Sequence, residues 1–201
     1  MTQTALLVLS SAAGDRVDPA TLAPLAARAW YWPEAAEVLA RAQSTVRLSA
    51  PEAAGPVDAA LALTKEAALR AKERGAIAVV WEPTGLAHEA ASFVDQAEDA
   101  SREDLPLYLW VRFEGTKGEG GTLGMRTHGL AALGTMEVEV EGSQRDGEHV
   151  LECVTDVALF LLTSASVPED GETIEVTRGE LRVRRMPSLR GDGTTALRVR
   201  V

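Results

Sequence analysis

The sequence predicts an α/β or α+β fold, a mixed β-sheet of about six to eight strands with helices packed over it. Three observations carry that expectation. Asp58 to Arg74 is rich in Ala, Leu, Lys and Glu and is followed by Gly75, the pattern of a long helix with a glycine terminator. It leads into Ala76 to Trp81 (AIAVVW), a continuous apolar run bounded by Gly75 and Pro83 that suits a strand covered on both faces. Further on, Met136 to Glu141 alternates apolar and acidic residues, the period of a strand with one face in a core.

The remaining elements follow in chain order. Thr4 to Ser10 (TALLVLS) reads as a buried strand. Asp18-Pro19 supplies an N-cap and a first-turn proline, so a helix is expected from there to about Trp30, where Pro33 ends or restarts it. Glu34 to Gln43 is a second helical piece, Thr45 to Leu48 a second strand, and Pro51 to Pro56 a loop. The turn Glu82 to His88 leads into a helix over roughly Glu89 to Asp99. Leu107 to Phe113 (LYLWVRF) reads as an aromatic-rich strand, and Gly115 to Gly121, with four glycines, as a mobile loop. Glu148 to Thr163 is an apolar helix. Asp170-Gly171 turns into a strand at Thr173 to Val176. Glu180 to Arg185 and Ala196 to Val201 are two alternating strands joined around Gly191-Asp192-Gly193. The expected organisation is one acidic domain over residues 1–177 and a basic β-hairpin over 178–201 packed on the same sheet.

Charge narrows the function classes. The net charge is −10, from 30 acidic and 20 basic side chains, yet residues 178–201 hold seven arginines against two acids. An acidic body disfavours general nucleic-acid binding, which needs basic side chains to displace counterions. It fits a basic protein partner, or serves solubility alone. No run approaches the roughly 20 apolar residues of a membrane span, and the short apolar run Ala5 to Leu9 has no basic segment before it, so the cytoplasm is expected. The single cysteine, Cys153, has no internal disulfide partner and sits in apolar helical surroundings, which suits a buried thiol.

The alternating segments also predict a pairing. Glu137, Glu139 and Glu141 share one strand face, as do Arg182 with Arg184 and Arg198 with Arg200. Side by side in one sheet they place at least one arginine within salt-bridge distance of Glu137 or Glu139.

No catalytic signature stands out. His88, His128 and His149 lack zinc-ligand spacing, and HExxH and CxxC are absent. A cluster assembled through space from Glu82, His88, His128 and Glu137 is a candidate, with His88 just beyond a central strand. Gly124 is followed by Met125 and Arg126, so the glycines around Thr122 do not make a phosphate loop; turns and close backbone approach explain them. Trp30-Tyr31-Trp32 cannot bury three rings on one helical face, which leaves a tryptophan as an interaction anchor, with Trp32 the candidate contact.

The series Leu63-Thr64, GAIAVVWE (75–82), LPLYLWVRF (105–113), TLGMRTHGL (122–130) and EVEV (137–140) resembles a family of bacterial proteins known as domain of unknown function 4261. The resemblance spans most of residues 4–176, and its specific pieces are the Thr-Leu-Gly-Met run, Gly129 and the Glu-x-Glu strand. It implies no particular activity. The function expected is a cytoplasmic, non-enzymatic protein-binding module, in one version an immunity or antitoxin-like protein whose acidic face masks a basic toxin. Its binding residues would be Trp32, Glu82, His88, Thr122, Met125, His128, Glu137 and Glu139, with no catalytic residue, metal or cofactor. The alternative is an enzyme or a small-ligand or metal binder with a site between the Glu82–His88 turn and the Gly115–His128 loop.

Overall fold

A computed structural model describes residues 3–51, 55–164, 166–177 and 179–201; part of the expected Pro51–Pro56 loop, 52–54, and residue 178 of the expected hairpin lie outside the described residues. The elements fall into two units, Met1–Trp110 and Val111–Val201.

The first unit contains β1 (Thr4–Leu9), β2 (Asp15–Arg16), α1 (Ala23–Arg28), α2 (Ala35–Ala40), β3 (Ser44–Ser49), α3 (Pro56–Arg74), β4 (Ala76–Trp81), β5 (Leu86–Glu89), α4 (Ala90–Asp99) and a single helical turn, α5 (Leu107–Trp110). Its strands lie in the order β2-β3-β1-β4-β5, with every neighbouring pair antiparallel. Both faces are covered, as the unbroken apolar runs of β1 and β4 require. Val8, Ala78, Val80 and Ala87 pack with Leu22, Trp32 and Leu39 from the α1–α2 side, while α3 and α4 pack on β1, β4 and β5. The buried stripe of α3 is mostly alanine, which lets the helix lie close, and Gly75 ends it at φ 61 in the left-handed region.

Two local expectations change. The helix expected from Pro19 to Trp30 is a 3-10 turn, Pro19–Leu22, capped by the Asp18 side chain, and then the short α1, because Pro24 lacks the N–H that would continue one helix. The run LYLWVRF is not one strand. Pro106 starts the turn α5, and the second unit's first strand begins only at Arg112. A short apolar run does not reveal its own period. The turn carries Trp110 inward, where its ring stacks on Trp81 at 6.1 Å and its Nε1 donates to Thr64 Oγ1 at 2.8 Å.

The second unit contains β6 (Arg112–Lys117), β7 (Leu123–His128), β8 (Val138–Ser143), α6 (Gly147–Thr163), β9 (Thr173–Val176), β10 (Gly179–Pro187) and β11 (Thr195–Val199). The sheet order is β6-β7-β8-β11-β10-β9; β8 and β11 are parallel and every other neighbouring pair is antiparallel. Asp146 caps α6 by accepting from His149 N at 2.8 Å. The helix buries Val150, Val154, Val157 and Leu161. Val138, Val140, Val183, Leu197 and Val199 are buried in the sheet, and the residues alternating with them are largely charged. The architecture is α+β, with its strands divided over a five-stranded and a six-stranded sheet. No helix among the described residues is long and apolar enough to cross a membrane.

The Trp110–Thr64 bond is buried, and Thr64 Oγ1 in turn donates to Ala60 O at 2.8 Å. Thr64→Val leaves the indole N–H without an acceptor and should lower the unfolding free energy by roughly 1–3 kcal/mol, whereas Thr64→Ser retains the acceptor and should lose less. Denaturant titration of both variants checks this; equal losses would mean that the indole bond contributes nothing.

Candidate functional site

On the face of the second sheet turned away from α6, one cross-strand row is built from charges. Glu114 lies opposite Arg126, Arg126 opposite Glu139, Glu139 opposite Arg198, and Arg198 opposite Arg184. The signs alternate over four strands, which favours each neighbouring pair, and the alternation fails only at the last pair. Glu139, at the middle, is 1% exposed. Its carboxylate accepts from Ser188 Oγ at 2.8 Å and from Leu189 N at 3.0 Å, and Arg198 Nη2 stands 3.4 Å away. A buried carboxylate needs such directional donors. The expected arginine partner of the acidic strand is thus Arg198.

Glu137 precedes β8 and acts locally. It accepts from Gly129 N at 2.8 Å, Ala131 N at 3.2 Å and Thr127 Oγ1 at 2.7 Å, so it ties down the 3-10 turn Leu130–Leu133 that follows Gly129 (φ 127). Glu137 and Glu139 are therefore occupied inside the unit, and of the three acids expected on that strand face only Glu141 is exposed. Glu114 bridges Arg112 at 2.7 Å and Arg190 at 3.1 Å. His128 is opposite Arg112, and burial, reinforced by that guanidinium, holds its pKa below the usual value.

Arginines hold the β10–β11 end of the same face. Arg182 and Arg184 on β10, with Arg198 and Arg200 on and just after β11, line a cleft of about 500 Å³ together with Glu141 and Met186. In the glycine segment beside β7, expected as a mobile loop, Gly115 to Lys117 are strand, opposite Leu123 to Met125, and Glu119–Gly121 are a 3-10 turn. At Gly124 a Cβ would meet Thr116 Oγ1 at 2.5 Å and Val140 O at 2.7 Å, so the strands approach too closely for a side chain there. Thr122 and Met125 are half-buried on this hairpin.

In the first unit the aromatic triplet is divided by the fold. Trp32 is buried in the α1–α2 core, whereas Trp30 is 81% and Tyr31 41% exposed. Tyr31 donates its hydroxyl to Ala87 O at 3.0 Å and stacks on His88 at 5.7 Å; Trp30 meets Tyr31 edge-on at 5.8 Å. The exposed tryptophan of the triplet is therefore Trp30 and not Trp32, and the signal for it in the sequence is that one ring of three has to stay out. His88 is buried against Tyr31 and Phe93, donates from Nε2 to Leu109 O at 3.3 Å, and has its pKa lowered by burial to about 4. It is a neutral core histidine. Glu82 makes a two-pronged ion pair with Arg47 at 2.9 and 2.8 Å. Glu82 and His88 thus find their partners in the first unit, and His128 and Glu137 theirs in the second. Among the described residues no group of three or more His, Cys, Asp and Glu side chains could hold a metal ion. Cys153 is buried, and His149, one turn earlier on α6, brings Nε2 to 3.6 Å from its sulfur.

Residues 126–199 match the model of a family described as Domain of unknown function (DUF4261). The match begins within β7 and ends with β11, so it includes Gly129, the Glu-x-Glu strand, Glu139 with its partners, and the arginine hairpin. The resemblance read from the sequence began near residue 4 and stopped at 176, short of that hairpin. No curated protein and no solved structure matches the chain.

Two measurements follow from this geometry. Glu139→Gln keeps the shape but removes the charge that faces Arg198 and Leu189 N, and should cost roughly 2–4 kcal/mol of stability. Glu141→Gln, on an exposed side chain, should stay within about 1 kcal/mol; similar losses in the two variants would contradict the role of Glu139. For His88, the pKa of about 4 lies below the ordinary 6.5, so the unfolded chain binds the extra proton between those values. The histidine's contribution is full above pH 6.5 and is lost as pH falls through 4, with roughly 2–3 kcal/mol gone by pH 4.5. Unfolding free energies at pH 7 and 4.5 should differ by that much more in the wild type than in His88→Gln.

Proposed function

We propose, for a chain whose residues 126–199 match a family described without an activity, a cytoplasmic, non-enzymatic protein-binding module that holds its partner at the Trp30–Tyr31 corner of the first unit. The observation that carries the reading is the 81% exposure of Trp30. Large aromatic side chains dominate interface energetics because they bring much area at little conformational cost. Tyr31 is already pinned by its bond to Ala87 O and by its stack on His88, so the corner is ordered before a partner arrives.

Within this reading, an immunity or antitoxin-like role draws on charge. Residues 1–110 hold fifteen acidic and nine basic side chains. That balance steers a basic partner toward the first unit and makes association faster at low salt. The masking surface then lies around Trp30 and not on the Glu137–Glu139 strand, whose carboxylates are occupied.

The test is affinity purification of the tagged chain and of its Trp30→Ala variant from native cytoplasm, followed by a dissociation constant for the recovered partner. Trp30→Ala should weaken that complex roughly tenfold or more while leaving the thermal midpoint unchanged. Equal retention by both forms, or a wild-type chain that recovers no partner, would overturn the proposal.

A further inference from the structure

Four arginines form a two-by-two block on the second sheet. Arg198 lies directly opposite Arg184, and the adjacent pair Val199–Val183 continues the register that brings Arg200 alongside Arg182. Like charges directly opposite one another across strands are destabilising. Compensation is uneven. Arg184 Nε pairs with Asp170 at 3.0 Å, and Arg198 reaches Glu139 and Glu141 at 3.4 and 3.6 Å. Arg182 Nε donates to the Gly171 carbonyl at 3.2 Å, and neither Arg182 nor Arg200 makes an ion pair among the described residues. Among the described residues the 182/200 half of the block is therefore held in no ion pair, and all four side chains line the same cleft of about 500 Å³, with Glu141 at its β8 side.

We propose that this block docks an extended acidic segment of a protein partner, with carboxylates at alternate residues. The repeat decides the occupant. Same-face side chains along a strand recur about every 6.7 Å, and so do the acids of an extended acid-x-acid segment. One carboxylate would rest over Arg182 and Arg200 and the next over Arg184 and Arg198, each received by planar guanidinium forks. A lone small anion covers one pair of arginines and leaves the other uncompensated. Glu141, on the β8 side of the cleft, keeps the anionic segment over β10 and β11, and Met186 offers an apolar contact farther along β10. This surface is separate from the tryptophan corner, and the inference does not rest on it.

The experiment uses the full chain and two fluorescein-labelled octapeptides of equal composition and charge, Glu-Thr repeated four times and four glutamates followed by four threonines, read by fluorescence anisotropy at moderate salt. The alternating peptide should bind roughly tenfold more tightly than the block peptide, and the double variant Arg182→Ala/Arg200→Ala should lose about as much again. Both arginines are exposed, so the variant's unchanged thermal midpoint serves as the folding control. Trp30→Ala should bind the alternating peptide as the wild type does. Equal binding of the two peptides, or the same affinity in the double variant, would overturn the proposal. Pyrophosphate binding in place of either peptide would do so too, and would make the cleft a small-anion site.

Discussion

A carboxylate at the centre of a sheet is stable only if the surrounding chain brings it donors, and the second unit is arranged around doing so for Glu139. The donors come from Ser188, Leu189 and Arg198, 49 to 59 residues further along, from the β10–β11 connection and from β11 itself. Meeting that need fixes where β11 can lie and in which register. A slip by one residue would turn the carboxylate toward the face where Val150 and Val154 are buried, away from every donor it has. A buried charge of this kind adds little net stability against an apolar substitute. It makes the wrong pairings expensive.

The same interaction redistributes the charge that the surface presents. The chain is acidic by count, and three glutamates alternate from Glu137 into β8. Two of them are drawn into hydrogen bonds, one beneath a loop and one beneath a turn, while the arginines of β10 remain at the surface. Net charge therefore describes how the molecule repels its neighbours in solution, and the sheet register describes what a partner meets at close range. These are separate properties, and here they have opposite signs on one face.

The helices α3 and α6 and the strand β4 were legible because their signals are local: a period, a cap, a terminating glycine. The division of LYLWVRF into a turn and a strand was not legible, because a short apolar run shows no period of its own and the turn's anchor, the hydrogen bond from Trp110 to Thr64, joins residues 46 apart. The Glu–Arg pairing could be read from alternation, although the alternation did not say that β8 and β11 run parallel or that Glu139 is buried. Among the candidate site residues, His88 and Trp32 have the composition of contact residues and the environment of core residues. Trp30, identical in type to Trp32 and two residues before it, has the reverse. Side-chain identity carries chemistry; only packing determines whether that chemistry reaches solvent.

β11, last of the strands in sequence, lies between β8 and β10 and not at an edge. The antiparallel runs β6-β7-β8 and β9-β10-β11 can each form from contacts close in sequence, but each then presents an open edge until β8 and β11 pair in parallel. Closing the sheet is a non-local event and so the slow one, since chain entropy is lost before the pairing compensates for it. During that interval the edges of β8 and β11 are both unpaired, and the β11 edge of a second copy fits β8 as well as the chain's own. The arrangement that gives Glu139 its donors also makes this unit a candidate for strand exchange at high concentration, with the arginine cleft rebuilt across two molecules.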